Sequence, residues 1–444
     1  MIAWAFLVGS LIGAWFTYNG FRPAYTPPWR AGISFFAGWL TAELAVHHLA
    51  WQGAMTAFFI WAGALEAWPG LLALGLTLVS WLGLGRLFWR ARDAEHAVES
   101  ALRSTFGADY QQRIRPEIRA TLAPRVEWDQ IIAPFPIRHP EVQRTRDIVY
   151  TRAGGLDLKL DVHRHRERRT GCPTLLQIHG GAWVVGSKKE QGLPLMTHLA
   201  ARGWVCVSAD YRLSPHATFP DHIVDIKRAI AWIREHGPAY GADPDFIVIT
   251  GGSAGGHLAA LTALTANDPA FQPGFEQVDT SLRGCVAFYG VYDLVDRHGI
   301  WPHEGMRKLL ERQVMKASVE EAPAAYAQAS PVARVHPEAP PFLVIHGDRD
   351  TVVPVEDARR FVQAFRDGAH GRIAYAEIPG AQHAFELFPS SRALFVIHGV
   401  ERFLAYLYSE YLSARAHVPA TSAASMDTPP ATADAAARLR AGHA

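Results

Sequence analysis

Cysteine is scarce in this chain and scattered: Cys172, Cys206 and Cys285 are the only three in 444 residues. An odd count argues against a disulfide framework, and the lack of any CxxC pair removes the spacing of a structural zinc site. Cys206 and Cys285 stand inside apolar runs, Val205-Cys206-Val207 and Cys285-Val286-Ala287, and read as buried free thiols. Charge of one sign is missing too. With 43 Lys and Arg against 42 Asp and Glu, the formal net charge is +1, which leaves no electrostatic case for nucleic acid as a partner. His163 and His165 border a basic run from Arg164 to Arg169, which reads as a solvated loop and not as a metal site.

The third absence is local. No charged side chain occurs from Met1 to Phe16, and no basic segment precedes that run, so it reads as a first membrane span and not as a signal peptide. A second apolar run extends from Ala31 to Leu49, a shorter one from Ala54 to Leu65, and, past Pro69-Gly70, a last one from Leu71 to Phe88. A spanning helix needs about 20 apolar residues, so residues 1–90 are expected to form a transmembrane helical region of three or four spans. Trp4, Trp15, Trp29, Trp51, Trp68 and Trp89 stand toward the expected ends, as an aromatic belt requires. Arg86, Arg90, Arg92 and Arg103 follow the last span, and Arg22 and Arg30 lie in the first loop. The denser cluster puts the long C-terminal part on the cytoplasmic side of an inner or plasma membrane. Glu43, His47 and His48 sit inside the second run; a hydrogen-bonded clamp between helices, or simple proximity of His47 and His48 to the interface, is favoured there over a lipid-headgroup or proton site. Residues 91–144 form an amphipathic juxtamembrane connector, with Val98, Leu102, Phe106, Tyr110 and Ile114 at helical spacing. The readings open for it are a helix on the bilayer, a cover over the site, or a plain linker.

From residue 145 the pattern changes to short apolar runs alternating with helical ones. Asp147–Thr151 and Leu156–Val162 flank Ala153-Gly154-Gly155 as a hairpin. Strand-like runs follow at Thr174–Ile178, Trp204–Ala209, Phe246–Thr250, Cys285–Tyr289, Phe342–Ile345 and Ile373–Ile378. Helical patterns fall at Gln191–Arg202, Asp221–His236, Ala254–Ala266, Val355–Asp367 and Ser391–Tyr411. The alternation predicts an α/β domain over 145–413, a mostly parallel sheet with helices on both faces. A polar helical insertion near 291–330 reads as a cap, and 414–444 as a disordered tail.

Gly251-Gly252-Ser253-Ala254-Gly255-Gly256 closes a strand and opens a helix. Small residues on both sides allow a strained turn that lifts Ser253 out of the sheet, with the following helix N-terminus aimed at developing negative charge. A serine nucleophile also needs oxyanion donors, a base and an orienting acid. His179-Gly180-Gly181-Ala182-Trp183 follows a strand and offers the N–H groups of Gly180 and Gly181, to which the elbow adds that of Ala254. Asp350 lies just past the strand that ends at His346, with Asp348 the alternative acid and more in keeping with a loop-stabilising role. His383 lies in the loop after the last strand and supplies the base.

These stretches, together with Asp210-Tyr211-Arg212-Leu213 and Gly380-Ala381-Gln382-His383-Ala384-Phe385, resemble the hormone-sensitive-lipase-like carboxylesterases of the α/β-hydrolase superfamily. The resemblance covers about Thr145 to Tyr411, and the layout is similar to membrane-anchored mycobacterial Lip-type esterases. It implies hydrolysis of short- to medium-chain carboxylic esters without metal or cofactor: Ser253 attacks, His383 shuttles the proton and Asp350 orients the imidazole. Asp210 and Tyr211 are then expected to buttress the oxyanion loop beside His179, or Tyr211 to be ordinary core. Ala182 stands where the family often has a third glycine, which weakens any extension to tertiary-alcohol esters. The membrane region and connector replace the N-terminal cap helices of soluble members. The expected partners are an ester substrate and membrane lipids. The same triad serves amide or arylformamide hydrolysis, peptide cleavage, acyl transfer to a lipid, or cleavage of prenylcysteine methyl esters. A non-catalytic membrane scaffold is the reading from a different class.

Overall fold

In the computed structural model, residues 1–124 and 126–416 are described; most of the expected tail lies outside them. Four helices open the chain: α1 (Ile2–Phe21), α2 (Pro28–Glu43), α3 (Ala45–Trp61) and α4 (Trp68–Arg90). The second apolar run is therefore two elements. Leu44 leaves helical geometry (φ −106°, ψ 30°), so Glu43 ends α2 while His47 and His48 belong to α3. Two stretches, Ile2–Phe21 and Trp68–Phe106, are long and apolar enough to cross a membrane; α2 and α3, at 16 and 17 residues, fall short of that length.

The connector's apolar stripe is spent inside the protein. In α5 (Asp93–Phe106), Val98, Leu102 and Phe106 are buried, and Tyr110 and Ile114 continue the same face into the second of two large cores. They pack against the last strand and the last helix, where Val98 fills the space over Gly399 so closely that a Cβ there would lie 2.2 Å from its methyl. Burying each such side chain is worth about 1.5–3 kcal/mol, which ties the connector to the domain. Two short helices follow, α6 (Pro116–Arg119) and α7 (Trp128–Ile132).

The sheet has eight strands: β1 (Val142–Ala153), β2 (Leu156–His165), β3 (Cys172–Ile178), β4 (Val205–Ala209), β5 (Ala242–Gly252), β6 (Gly284–Phe288), β7 (Phe342–Gly347) and β8 (Ile373–Ile378). Their order is β1-β2-β4-β3-β5-β6-β7-β8. The first pairs, β1–β2 and β2–β4, are antiparallel and the rest are parallel. Strands β3, β4, β6 and β7 are buried along their whole length because helices cover both faces. On one face lie α9 (Asp221–His236), α10 (Ala254–Ala263) and α13 (Val355–Gly368); on the other lie α8 (Leu193–Ala201), α5 and α14 (Ser391–Ala416). The insertion between β6 and β7 carries α11 (Gly305–Leu309) and α12 (Pro323–Ala329).

Register sets the site. Ile178 pairs with Gly251, Gly252 with Phe288, and Gly347 with Ile378, so β3, β5, β6, β7 and β8 end together along one edge. The chain leaves β3 for β4 on one side and returns to β5 on the other. That reversal is the switch point where parallel sheets open a crevice beyond their carboxyl ends. His163 and His165 lie in β2 and are buried, not in a solvated loop; β2 outruns the expected hairpin because β1 pairs with it to its end. All three cysteines are free and buried.

Candidate active site

Ser253 stands between β5 and α10 at φ 59°, ψ −124°. A non-glycine residue in that region costs about 1–3 kcal/mol, held by its surroundings. The holding is visible: Ser253 N–H donates to the Phe288 carbonyl at 3.0 Å, and its own carbonyl accepts from His257 N–H at 2.9 Å. The turn is possible because α10 presses directly on β3. A Cβ on Gly255 would lie 2.3 Å from the Ile178 carbonyl oxygen, so only glycine fits. The serine itself is half-buried.

Beyond β3 the loop from His179 doubles back. Gly181 (φ 111°), Ala182 (φ 53°) and Trp183 (φ 62°) follow one another with positive φ. A Cβ on Gly181 would meet the Val185 carbonyl oxygen at 2.0 Å. Trp183 is locked by burial and by its indole N–H, which donates to His257 Nδ1 at 3.1 Å; His257 in turn donates from Nε2 to the Ala329 carbonyl at 2.7 Å. The indole can only donate, so the His257 tautomer is fixed, and burial holds that imidazole down to about 4 and hence neutral. Tyr211 stacks on His179 (centroids 4.4 Å, 14°) and its hydroxyl donates to the His179 carbonyl at 3.1 Å. Asp210 accepts from the Lys188 N–H at 2.8 Å. The Lys188 ammonium, buried, lies 2.7 Å from Asp147 and 3.1 Å from Asp161. Burial works against its charge, and those carboxylates outweigh burial and raise it.

One expected oxyanion donor is committed elsewhere. The Gly180 N–H donates to the carboxamide oxygen of Gln191. The Gln191 amide nitrogen donates to the Tyr289 hydroxyl at 3.1 Å and approaches Glu386 at 3.4 Å, and the Tyr289 hydroxyl donates to Glu386. The reason is local: Gln191 is buried, so its carboxamide is satisfied by neighbouring protein groups. Burial pushes the Glu386 carboxyl up, and burial with the neighbouring Glu386 carboxyl pushes the Tyr289 phenol up.

At the far side of the crevice His383 Nδ1 donates to Asp350 Oδ2 at 2.7 Å. Asp350 is buried and fully engaged. Its Oδ1 accepts the N–H groups of Val352 and Val353, both at 2.8 Å, and His346 Nε2 lies 3.2 Å from Oδ2. Burial would raise this carboxyl, but the imidazoles of His383 and His346 outweigh it and hold it well below the usual carboxylate range. Asp348 faces away, accepting the Gly380 N–H at 2.6 Å. Tyr289 joins the two halves: its ring centre is 4.5 Å from that of His383, and its hydroxyl is 2.6 Å from where a Cβ on Gly252 would sit. Ser253 and Gly180 adjoin as well, with 3.2 Å between the serine Cβ and a Cβ built on the glycine.

Ser253, Ala254, His179, Gly180 and Gly181 are thus gathered at the ends of β3 and β5, and Asp350 and His383 at the ends of β7 and β8, with Tyr289 between. Asp210 and Tyr211 stand behind the loop that begins at His179. Reading the sequence missed Gln191, Tyr289, Glu386 and His346. Glu386, three residues past His383, carried the one usable signal, a carboxylate inside an apolar loop. Among the described residues no group of three or more His, Cys, Asp or Glu is arranged to hold a metal ion.

A mostly parallel eight-stranded sheet with a strained serine elbow at its switch point defines an α/β-hydrolase. The family model described as BD-FAE matches residues 160–365. Esterase LipQ of Mycobacterium tuberculosis is 40% identical over 86% of this chain and 86% of its own. The probable carboxylic ester hydrolase LipM of the same organism is 41% identical over 91% of this chain and 93% of its own. Among solved structures, the thermophilic esterase Est2 of Thermogutta terrifontis is 28% identical, with a TM-score of 0.50 over 64% of this chain and 96% of that one. The chain belongs to the family of these mycobacterial Lip esterases, and it is an ester-bond hydrolase.

Proposed function

We propose that the protein is a membrane-anchored serine carboxylesterase with Ser253 as nucleophile, His383 as base and Asp350 as orienting acid. The observation that carries this reading is the 2.7 Å bond from His383 Nδ1 to Asp350 on the sheet edge that also bears the Ser253 elbow. With its Nδ1 proton held by Asp350, the imidazole keeps the Nε2 lone pair for the serine hydroxyl. Ser253 Oγ attacks the ester carbonyl carbon while Nε2 takes its proton. The carbonyl π-bond electrons move to oxygen. As they return, the bond to the alcohol breaks and Nε2 hands its proton to the leaving alkoxide. Water then repeats the sequence on the acyl-enzyme and releases the acid.

The oxyanion is assigned to the N–H groups of Gly181, Ala182 and Ala254. Gly180 is left out because its N–H serves Gln191. Consecutive residues of positive φ turn successive amides into one concavity, and the N-terminus of α10 adds its dipole. Removing one such donor typically costs about 2.7–4 kcal/mol of transition-state stabilisation.

The anchor is assigned to Ile2–Phe21 and the stretch from Trp68, and the arginines after α4 support a cytoplasmic catalytic domain. The test uses full-length protein in membranes, wild type beside Ser253→Ala, with a fluorophosphonate probe and p-nitrophenyl esters of increasing chain length. Labelling and turnover that both vanish in Ser253→Ala are expected. Labelling without ester turnover moves the substrate to an amide or to acyl transfer, and no labelling of folded protein ends the catalytic reading. Release of the protein from membranes by alkaline carbonate would end the claim of a spanning anchor.

A further inference from the structure

The catalytic histidine's loop is gripped by a helix from the N-terminal region. Phe35, Trp39 and Glu43, four residues apart in α2, all turn toward the loop that runs from His383 to the start of α14. The Trp39 indole N–H donates to the Ala384 carbonyl at 3.0 Å. Ala384 directly follows His383 and sits at φ 59°, a conformation that an alanine keeps only when its surroundings hold it. The Phe35 ring lies parallel to Trp39 (5.4 Å, 8°) and edge-on to the His383 imidazole at 6.5 Å. Trp39 also meets Phe388, tilted at 5.6 Å, later in the same loop.

Glu43 supplies the second grip. Its Oε2 accepts the Ser390 hydroxyl at 2.6 Å, and its Oε1 pairs with Arg392. Glu43, Ser390 and Arg392 are all buried. A buried charge pair of this kind is weak evidence for added stability but strongly fixes the arrangement of its partners. Glu43 was expected to clamp membrane helices to one another. Instead it joins α2 to the catalytic domain, while His47 Nε2 bonds the Ile132 carbonyl at 3.0 Å.

We propose that Trp39 is a positioning residue for the reaction: by holding the Ala384 carbonyl it keeps the His383 imidazole aimed at Ser253, so that α2 is a working part of the catalytic centre and not merely part of an anchor. This rests on the triad reading above. From within the domain Asp350 at Nδ1 and the Tyr289 ring fix the aim of the His383 imidazole, while Gln382 bonds its backbone N–H. Beyond it the loop is held from within the domain at Glu386, by Tyr289 and Gln191, and α2 adds ties at the Ala384 carbonyl and the Ser390 hydroxyl. A misplacement of the reacting groups by about 1 Å costs on the order of 100-fold in rate.

The test is Trp39→Phe in the full chain, which keeps a ring against Phe35 and Phe388 but removes the N–H. Rates are divided by the number of sites titrated with fluorophosphonate, so that loss of folded protein does not count. Turnover per titrated site is expected to fall about tenfold with KM nearly unchanged, the signature of an interaction that matters only in the transition state. Trp29→Phe, at an indole 67% exposed on the same helix, should match wild type. Unchanged turnover per site in Trp39→Phe overturns the proposal. So does a loss confined to KM or to the number of titratable sites. If Trp39→Phe yields no titratable protein, Ser390→Ala, which cuts the other tie from the loop side, is judged by the same criteria. Turnover surviving in Ser253→Ala would sink the triad reading itself and is thereby distinguished from failure of this one.

Discussion

Asp350→Asn isolates what the carboxylate does for His383. The substitution keeps shape and volume but replaces one acceptor oxygen with a donor NH2. Its orientation is decided by the donors around it. If the NH2 took the Oδ1 position, it would face the N–H groups of Val352 and Val353, both now at 2.8 Å. Two buried donors would lose their acceptor, at roughly 1–3 kcal/mol each. The carboxamide oxygen therefore stays on the backbone and the NH2 points at His383 Nδ1. That nitrogen must then accept, which moves the imidazole proton to Nε2 and removes the lone pair that Ser253 needs. The expected loss in kcat is about 10⁴-fold, equivalent to about 5 kcal/mol, with KM little changed. Stability has its own sign. The Asp350 carboxyl is held below its ordinary range, so it contributes stability that is present above its unfolded pKa, about 3.9, and is lost as pH falls through the folded value. The melting-temperature deficit of Asp350→Asn should thus be largest near neutral pH and close in acid. The assay is p-nitrophenyl butyrate hydrolysis per titrated site, beside thermal melts at several pH values. A kcat within tenfold of wild type would refute the reasoning.

Gln191→Leu leaves the Gly180 N–H without its acceptor and Tyr289 without a donor. A buried unsatisfied donor costs about 1–3 kcal/mol, so a lower melting temperature and a kcat/KM reduced about 10- to 100-fold are expected; wild-type values for both would show that the oxyanion loop does not need this brace. Gly181→Ala should abolish fluorophosphonate labelling, since its Cβ would meet a carbonyl oxygen at 2.0 Å, and labelling at the wild-type rate would contradict that. Asp357 is a buried carboxyl that accepts the Tyr292 N–H at 2.8 Å, and burial raises it to about 7. A carboxyl raised on folding destabilises the fold progressively as pH climbs from its unfolded value toward the folded one. Asp357→Asn should therefore gain on wild type in thermal melts between pH 4 and pH 8, and a constant difference across that range would show that Asp357 does not titrate in the folded state.

The α/β core was legible because its rules are local. Phe246–Thr250 and Phe342–Ile345 are apolar runs bounded by turns; the first lies within β5 and the second opens β7. The helix foreseen at Asp221–His236 begins and ends at those residues. The serine elbow was equally plain, since Gly255 and its neighbours admit only a close crossing. What pattern could not convey is which polar group takes which partner. Gln191 reads as the start of a helix; only in three dimensions does it face Gly180 and Tyr289 and take the Gly180 N–H from the donors expected of that loop.

The same limit explains why the partners of two apolar faces could not be read in advance. The stripe on α5 and the inward side of α2 have the spacing that fits a lipid surface or a protein surface alike. Hydropathy scores the side chain and not what covers it. Val98 and Phe106 entered the domain's core, and Trp39 went to the His383 loop. The charged residues within those runs held the better signal. Glu43 in an apolar helix has to find a cation, and α1 to α4 otherwise hold only arginines near their ends. Arg392, buried at the start of α14, needs an anion as urgently. Their pairing joins the N-terminal region to the catalytic domain beside the histidine loop. The seating of that helix and the geometry of the reaction thus share one set of contacts.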